Sequence, residues 1–323
     1  MKKRNFLNII KAILSIIIIL FLLSKVNFKI ISQINFKNNI EYFIVSVFSF
    51  LFSLLFVQTL RLKLIIKKYD YSFYNSFKLI VISSFFNSFL PSNIGGDGYK
   101  VLFLKKKYNL SLNKAFSLIF IERLSGLLVL FLMGVFYIIF FWKRLSFVLE
   151  KFNFEINNKL YYIFAVILLL FIIILILFFI KREWSKKILK KVLSNIKSAI
   201  NFIISIKNIV YLKIILYSIV IHFFRLIGFY YLIIFFNSQI NLIDLIFVLS
   251  VTAFVSMLPI TIGALGLREG TISIMLILFG VSGNEAIIIA LLNRIILLFI
   301  ALIGTYFYYN NNIISFKKND TTA

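Results

Sequence analysis

Long apolar stretches alternate along the chain with short polar segments that are rich in lysine and asparagine. The clearest stretch, residues 160–180, contains no charged residue. A helix of about 20 apolar residues, at 1.5 Å per residue, crosses a bilayer core of about 30 Å. The pattern therefore predicts an all-α polytopic integral membrane protein with about six full spans, near residues 5–23, 40–60, 115–141, 160–180, 211–236 and 285–309.

Two shorter apolar segments, 75–90 and 242–258, each lead directly into a glycine-rich decapeptide. The decapeptides PSNIGGDGYK and PITIGALGLR share the pattern P-x-x-I-G-x-x-G-x-[Lys/Arg], and further on NKAFSLIFIERL matches NEAIIIALLNRI as N-x-A-x6-[Glu/Asn]-Arg-[Leu/Ile]. Two matching blocks in the same order predict a duplicated unit made of a span, a short helix, a glycine-rich break, a second short helix and a span. The two copies cover about 40–141 and 211–309.

The distribution of charge predicts the topology. The chain has a net charge of +25, and its lysines gather between the apolar stretches, as the positive-inside bias and anionic lipids require. If each pair of short helices forms a re-entrant hairpin, most of these charges and both termini are cytoplasmic, and the two copies are inverted relative to each other. We expect a multi-pass protein of a prokaryotic cell membrane with one transmembrane domain over 1–309. Span 160–180 and an amphipathic segment at 181–210 link the copies, and 310–323 is a short polar tail.

Composition argues against several kinds of site. The chain has no cysteine and one histidine, which excludes disulfides and cysteine-ligated metals and makes a histidine-rich metal centre improbable. It contains no Walker A motif, no zinc-protease helix and no Ser/His/Asp set with a usable histidine. We therefore expect no catalytic residue, no cofactor and no metal, and we attribute the basic charge to membrane lipids rather than to nucleic acid.

The glycine-rich breaks predict where a substrate binds. Irregular backbone within a membrane is tolerated where it is buried in protein or lines a wet cavity, and opposed broken hairpins recur in transport sites. Helix N-termini at such breaks present N–H groups that favour phosphate. The candidate substrate-binding residues in and near the breaks are Asn93, Gly95, Gly96, Asp97, Lys100, Gly263, Gly266, Arg268 and Glu269.

Charged residues within the apolar helices are the sharper signal. Glu122, Arg123 and Arg294 lie in the predicted spans 115–141 and 285–309, where a charge at the membrane centre costs about 2.5–3.5 kcal/mol. We expect Arg123 and Arg294 to bind phosphate, with Glu122, Asp97 or Glu269 as counter-charges. The alternative is a purely structural ion-pair bridge between the two copies.

Three further basic residues lie at the ends or on the faces of spans. Arg61 closes the span 40–60, and we expect it to snorkel to the cytoplasmic head groups. His222 and Arg225 share a face of the span 211–236 at i, i+3 spacing. Both residues could line the cavity, or His222 could simply be a satisfied polar residue within the membrane.

The motif PSNIGGDGYK with its later E-R-L, and PITIGALGLREG with its later N-R, resemble the transmembrane region of lysylphosphatidylglycerol synthases across about 5–309. This flippase-like family is associated with moving aminoacylated phospholipid between leaflets, and relatives are linked to polyprenyl-linked sugars. Aminoacyl transfer resides in a soluble domain of the synthases, and we expect it to be absent here. Lys100 stands where the resemblance implies an arginine. The motif positions that the resemblance carries over are Asp97, Glu122, Arg123, Arg268 and Glu269.

These residues fit three functions. The first is a flippase-like transporter for an anionic or aminoacylated phospholipid, or for a polyprenyl-phosphate-linked lipid. The second is a membrane-embedded head-group transferase that uses Asp97 or Glu269 as a base, and it predicts chemically modified lipid. The third is a non-catalytic accessory of a partner lipid synthase or glycosyltransferase, and it predicts that neutralising Arg123 or Arg294 leaves lipid asymmetry unchanged.

Overall fold

A computed structural model describes residues 2–26, 36–67, 72–90, 95–150, 208–258 and 260–310. This part of the chain is nearly all helical and contains no strand. Helix α2 runs through three consecutive segments, Phe36–Leu51, the π-helical Phe52–Val57 and Gln58–Ile65. The other helices are α1 (Lys2–Ser24), α3 (Phe73–Phe89), α4 (Gly95–Tyr108), α5 (Leu112–Glu150), α6 (Asn208–Phe235), α7 (Leu242–Met257), α8 (Leu267–Leu278) and α9 (Gly283–Asn310).

Four helices of the described residues are long and apolar enough to cross a membrane, and they lie at Asn39–Ile65, Leu112–Glu150, Ile209–Phe235 and Gly283–Asn310. They contain or closely match four of the predicted spans, and the predicted span 5–23 lies within α1. The prediction of an all-α polytopic membrane protein is confirmed. The span predicted at 160–180, nearly all of the amphipathic segment at 181–210 and the tail beyond residue 310 lie outside the described residues.

Helix α5 is longer than the apolar pattern predicts. The pattern ends at residue 141, whereas the helix has 39 residues and continues to Glu150 after a bend at Phe141 (φ −121°, ψ 25°). Hydropathy marks where the sequence stops being compatible with lipid, not where a helix stops. No glycine or proline follows Phe141 before Glu150, so nothing in the local sequence ends the helix there.

Helix α2 contains a wide turn that the sequence does not signal. The N–H of Gln58 bonds to the carbonyl oxygen of Ser53, one residue further back than in an α-helix. Such π turns change which residues share a face and are frequent at functional sites. After this turn, Thr59, Arg61 and Leu62 are all buried.

The helices pack in pairs, some within one half of the chain and some between the halves. Helix α2 packs against α6, α3 against α4, and α7 against α8. The short helix α3 also packs against α9, and α7 packs against α5. Each half therefore places a short helix on the last long helix of the other half, so the two halves interleave.

Glycines allow the backbones to approach at both of these exchanged contacts. A Cβ atom on Gly304 of α9 would lie 2.4 Å from the carbonyl oxygen of Val81 in α3. A Cβ atom on Gly134 of α5 would lie 3.1 Å from the Cβ of Ser250 in α7. Small residues permit this close packing between membrane helices. The division into two repeats remains a prediction.

Candidate functional site

The two glycine-rich breaks meet at the C-terminal end of α3. The N–H of Gly96 donates to the side-chain oxygen of Asn87 at 2.8 Å. A Cβ atom on Gly263 would lie 2.9 Å from the carbonyl oxygens of both Asn87 and Ser88. Asn87 therefore contacts both breaks, one through its side chain and one through its backbone. Residues 91–94, including the predicted site residue Asn93, lie outside the described residues.

The first break brings α4 onto α3 at a point where no side chain fits. A Cβ atom on Gly96 would lie 2.1 Å from the carbonyl oxygen of Ser83, and one on Gly95 would lie 2.7 Å from the Cβ of Leu90. Asp97 follows in the first turn of α4 and is buried. A carboxylate in that turn is stabilised by the partial positive charge of the helix N-terminus.

The second break depends on left-handed backbone. Gly263 has φ +54° and Gly266 has φ +79°, a region that L side chains rarely adopt. The N–H of Gly266 donates to Glu269 Oε2 at 2.6 Å. The N–H of Ile262 donates to Ser15 Oγ of α1 at 2.9 Å. Helix α1 thus covers this break.

These hydrogen bonds occupy two of the N–H groups that the sequence leads us to expect free for phosphate. The N–H groups of Gly96 and Gly266 are already bonded, to Asn87 and to Glu269 respectively. Buried backbone donors require a partner, and a nearby amide or carboxylate oxygen satisfies them. An anion in this region can use these two N–H groups only by displacing Asn87 or Glu269.

Glu122 of α5 lies between two buried cations. The Lys100 Nζ atom is 3.0 Å from both carboxylate oxygens of Glu122, and Lys100 is only 2% exposed. A guanidinium nitrogen of Arg61 is 3.5 Å from the same carboxylate, and another donates to Ser218 Oγ of α6 at 2.9 Å. The prediction that Arg61 snorkels to head groups is wrong, because Arg61 is buried and pairs with Glu122 inside the protein.

Arg123 is the accessible member of the site. Its Nε atom lies 2.5 Å from Asp97 Oδ2, which joins α5 to the start of α4. The Arg123 side chain is 48% exposed, whereas the Asp97 side chain is 10% exposed. Asp97 therefore orients the guanidinium of a side chain that is about half exposed.

The second half has an analogous set around Glu269. Arg294 Nε lies 3.6 Å from Glu269 Oε1, and Arg294 Nη2 donates to the carbonyl oxygen of Gly263 at 3.3 Å. Arg268 Nη2 approaches the side-chain oxygen of Asn293 at 3.5 Å. In the aligned sequences Arg268 corresponds to Lys100, and Asn293 corresponds to Glu122.

The ion pairs of these charged residues join elements of the same half. Arg123 of α5 pairs with Asp97 of α4. Glu122 of α5 pairs with Lys100 of α4 and with Arg61 of α2. Arg294 pairs with Glu269 between α8 and α9. Within the described part of the chain, these pairs therefore do not form the ion-pair bridge between copies that was the structural alternative.

Sequence reasoning missed Asn87 at the site and one ion pair at the opposite end of α7 from the second break. Asn87 was not predicted, because an asparagine near a helix end has many ordinary roles and its partner at Gly96 depends on the fold. The missed ion pair joins a buried carboxylate, Asp244, to a half-exposed arginine, Arg144. Asp244 of α7 accepts from Tyr137 at 2.7 Å and from Arg144 at 3.0 Å. The signal for it was an acidic residue in an otherwise apolar segment.

The sequence model of the family described as "Lysylphosphatidylglycerol synthase TM region" matches residues 8–304. The chain belongs to this family. No curated protein and no solved structure matches the chain. The chain is a multi-pass membrane protein, because it belongs to this family and has several apolar helices long enough to cross a membrane. Its membership of the lysylphosphatidylglycerol synthase TM region family relates it to membrane lipids. The match includes every residue of the site described above.

Proposed function

We propose that this protein moves a lipid with an anionic head group between the two leaflets of a membrane, without changing the lipid chemically. The observation that carries the proposal is the contact of both glycine-rich breaks with Asn87. It brings an arginine-carboxylate pair from each half of the chain, Arg123 with Asp97 and Arg294 with Glu269, to one region between apolar helices. Paired charges on irregular backbone inside a membrane favour a polar passage over a structural core.

Arg123 is the first ligand that we propose for the lipid phosphate. Its side chain is half exposed and its guanidinium is already paired with Asp97, so binding costs little conformational entropy. A phosphate with two free oxygens matches the fork of an arginine side chain. The head group would move among the charged residues, while its acyl or prenyl chains stay in the lipid.

Movement between leaflets requires the passage to open to each side in turn. We propose that the α3–α4 pair and the α7–α8 pair are inverted hairpins, that the first opens to the cytoplasm together with both termini, and that the second opens outside. The left-handed glycines of the second break are places where the backbone changes direction with little steric cost. Since the sequence has no nucleotide-binding motif, the lipid gradient or the membrane potential would supply the driving force.

Reconstitution into liposomes tests the proposal directly. Fluorescent phosphatidylglycerol, lysyl-phosphatidylglycerol, phosphatidylcholine and a polyprenyl phosphate are placed in one leaflet, and a membrane-impermeant quencher measures their appearance in the other. We expect protein-dependent movement of at least one anionic lipid, and the movement should fall in an Arg123→Gln variant. Lys213→Gln, which removes an exposed charge from α6, should behave like the unaltered protein.

The same liposomes separate transport from the other two functions. Mass spectrometry of the recovered lipid should show no change in mass, whereas a transferase would yield a modified head group. Absence of movement for every lipid tested, by a protein that is monodisperse and folded, would leave the accessory function as the better explanation.

A further inference from the structure

The residues around the two breaks carry more positive than negative charge. They belong to α2, α4, α5, α6, α8 and α9. Ion pairs and electrostatic interactions between neighbouring charged side chains connect them into one region. The basic members are Arg61, Lys100, Arg123, Arg225, Arg268 and Arg294, and the acidic members are Asp97, Glu122 and Glu269. With every side chain in its ordinary ionisation state, six positive charges face three negative ones among the residues that the structure describes in this region.

Two of the surplus charges belong to Arg225 and Arg268. Among the described residues, Arg225 has neither an ion pair nor a hydrogen bond with an acidic side chain, and the charges that act on it are those of Arg268, Arg61 and Arg123. Arg268 has the neutral amide of Asn293 as its hydrogen-bond partner. It must also share the nearby Glu269 carboxylate with Arg294.

Arg225 lies on the face of α6 that faces the site. Ser218, two turns earlier on the same face, accepts a hydrogen bond from Arg61. One turn before Arg225, the ring of His222 lies 3.1 Å from the carbonyl oxygen of Gly126 in α5. Residues at i, i+4 and i+7 share one side of a helix, so Arg225 extends this line of polar contacts. Arg225 is partly exposed.

Buried donor atoms at the site point to the same kind of ligand. Three nitrogen donors have no hydrogen-bond acceptor within the described part of the chain: Nε of Arg61, Nε of Arg294 and Nδ2 of Asn293. Arg61, Arg294 and Asn293 are more than nine-tenths buried. A buried donor without an acceptor costs about 1–3 kcal/mol, and a surplus cation away from water costs more. Both costs fall if a strong, multiply charged acceptor binds here.

We infer that this site takes a lipid head group with two or more phosphate charges, such as a diphosphate, and that Arg225 and Arg268 are ligands of the additional phosphate. The inference rests on the proposed transport function and names its substrate class. A single phosphodiester brings one negative charge, which leaves most of the surplus uncompensated. An aminoacylated phospholipid also brings an ammonium group, which the neighbouring guanidinium groups repel.

Equilibrium binding to the detergent-solubilised full chain tests this inference with two probes that differ by one phosphate group, farnesyl monophosphate and farnesyl diphosphate. We expect the diphosphate to bind about tenfold or more tightly than the monophosphate, since charge-assisted contacts to arginine are strong. Arg225→Gln should remove most of this difference. Lys213→Gln, the matched charge removal at an exposed position of the same helix, should retain it.

Equal affinity for the two probes, or a full diphosphate preference in folded Arg225→Gln protein, would overturn the inference. Displacement of farnesyl diphosphate by inorganic diphosphate at equal concentration would also overturn it, because the site would then recognise the free anion rather than a lipid. Circular dichroism and gel filtration establish that the variant is folded. Should Arg225→Gln not fold, Arg268→Gln provides the second test with the same expected loss.

The proposed function and this inference fail in different ways. If diphosphate binding depends on Arg225 but no lipid crosses liposome membranes, transport is wrong and the ligand class stands. If phosphatidylglycerol or its lysyl ester crosses the membrane while the farnesyl diphosphate preference is absent, transport stands and the ligand class is wrong.

Discussion

Asn87 contacts Gly263 across the boundary between the two halves of the chain. The carbonyl oxygen of Asn87 lies 2.9 Å from the position that an ideal Cβ atom on Gly263 would occupy. Through its side chain, the same asparagine also holds the N–H of Gly96 in the first break. One residue at the end of α3 thus fixes the distance between two breaks that lie far apart in the sequence.

The first prediction concerns Gly263→Ala. Gly263 has φ +54°, a conformation that costs an L side chain about 1–2 kcal/mol, and the added methyl group would also collide with the carbonyl oxygen of Asn87. We expect a clear fall in Tm, followed by intrinsic fluorescence in detergent, and a loss of lipid movement. Gly270→Ala is the matched control, because nothing lies within 4 Å of its Cβ position. A Gly263→Ala protein as stable and active as the control would contradict the close contact.

The second prediction separates the two contacts of Asn87. In Asn87→Ala the N–H of Gly96 loses its acceptor, and an unsatisfied donor at a partly buried site costs about 1–3 kcal/mol. We expect lower stability and slower lipid movement. Asn87→Asp keeps the acceptor oxygen and should recover much of the stability. Asn75→Ala is the control in the same helix, because no side-chain hydrogen bond is described for Asn75, and it should change neither stability nor lipid movement. If Asn87→Ala also changes neither, Asn87 does not hold the breaks together.

Local patterns predicted the spans and breaks because both are local properties. About 20 apolar residues in a row are sufficient to indicate a membrane helix, and a proline with several glycines is sufficient to indicate a break. Asp97, Arg268 and Glu269 were singled out because they flank the breaks. Glu122, Arg123 and Arg294 were singled out because they lie within apolar spans. An ionisable residue in an apolar helix is unusual wherever its partner lies.

The sequence could not predict features that depend on which helices become neighbours. Arg61 looked like an interfacial residue because it follows the apolar part of its span. Its inward position follows a π turn at Phe52–Val57 and depends on Glu122 and Ser218, which lie far away in the sequence. The bonds that occupy the N–H groups of Gly96 and Gly266 likewise depend on side-chain oxygens that only the folded backbone brings within reach.

The third prediction concerns the carboxylate that two cations share. Glu122→Gln leaves Lys100 and Arg61 close together and without their negative partner. Removing one member of a buried ion pair costs about 3–5 kcal/mol, so we expect a large fall in Tm. Adding Lys100→Met should restore part of the loss, because only one buried cation then lacks a partner. The measurement is a double-mutant cycle from thermal unfolding in detergent.

The coupling energy from this double-mutant cycle shows whether Lys100 and Glu122 interact. Coupling between residues 100 and 122 of more than about 0.5 kcal/mol, with the double variant more stable than Glu122→Gln alone, would agree with the described ion pair. Strictly additive effects of the two substitutions would show that Lys100 and Glu122 do not interact in the membrane.

The last prediction tests the inverted arrangement with two serines at equivalent positions. Ser111 Oγ accepts from the N–H of Lys114 at the start of α5, and Ser282 Oγ accepts from the N–H of Glu285 at the start of α9, each at 3.4 Å. Both serines are exposed and the chain has no native cysteine, so Ser111→Cys and Ser282→Cys each provide a single reactive thiol.

If the halves are inverted, an impermeant maleimide should label Ser282→Cys protein in intact cells. It should label Ser111→Cys protein only after the membrane is opened, because our topology places that turn in the cytoplasm. The cysteine-free protein gives the background signal. Labelling of both turns from the same side would mean that the halves have the same orientation, and the two breaks could then not open to opposite faces of the membrane.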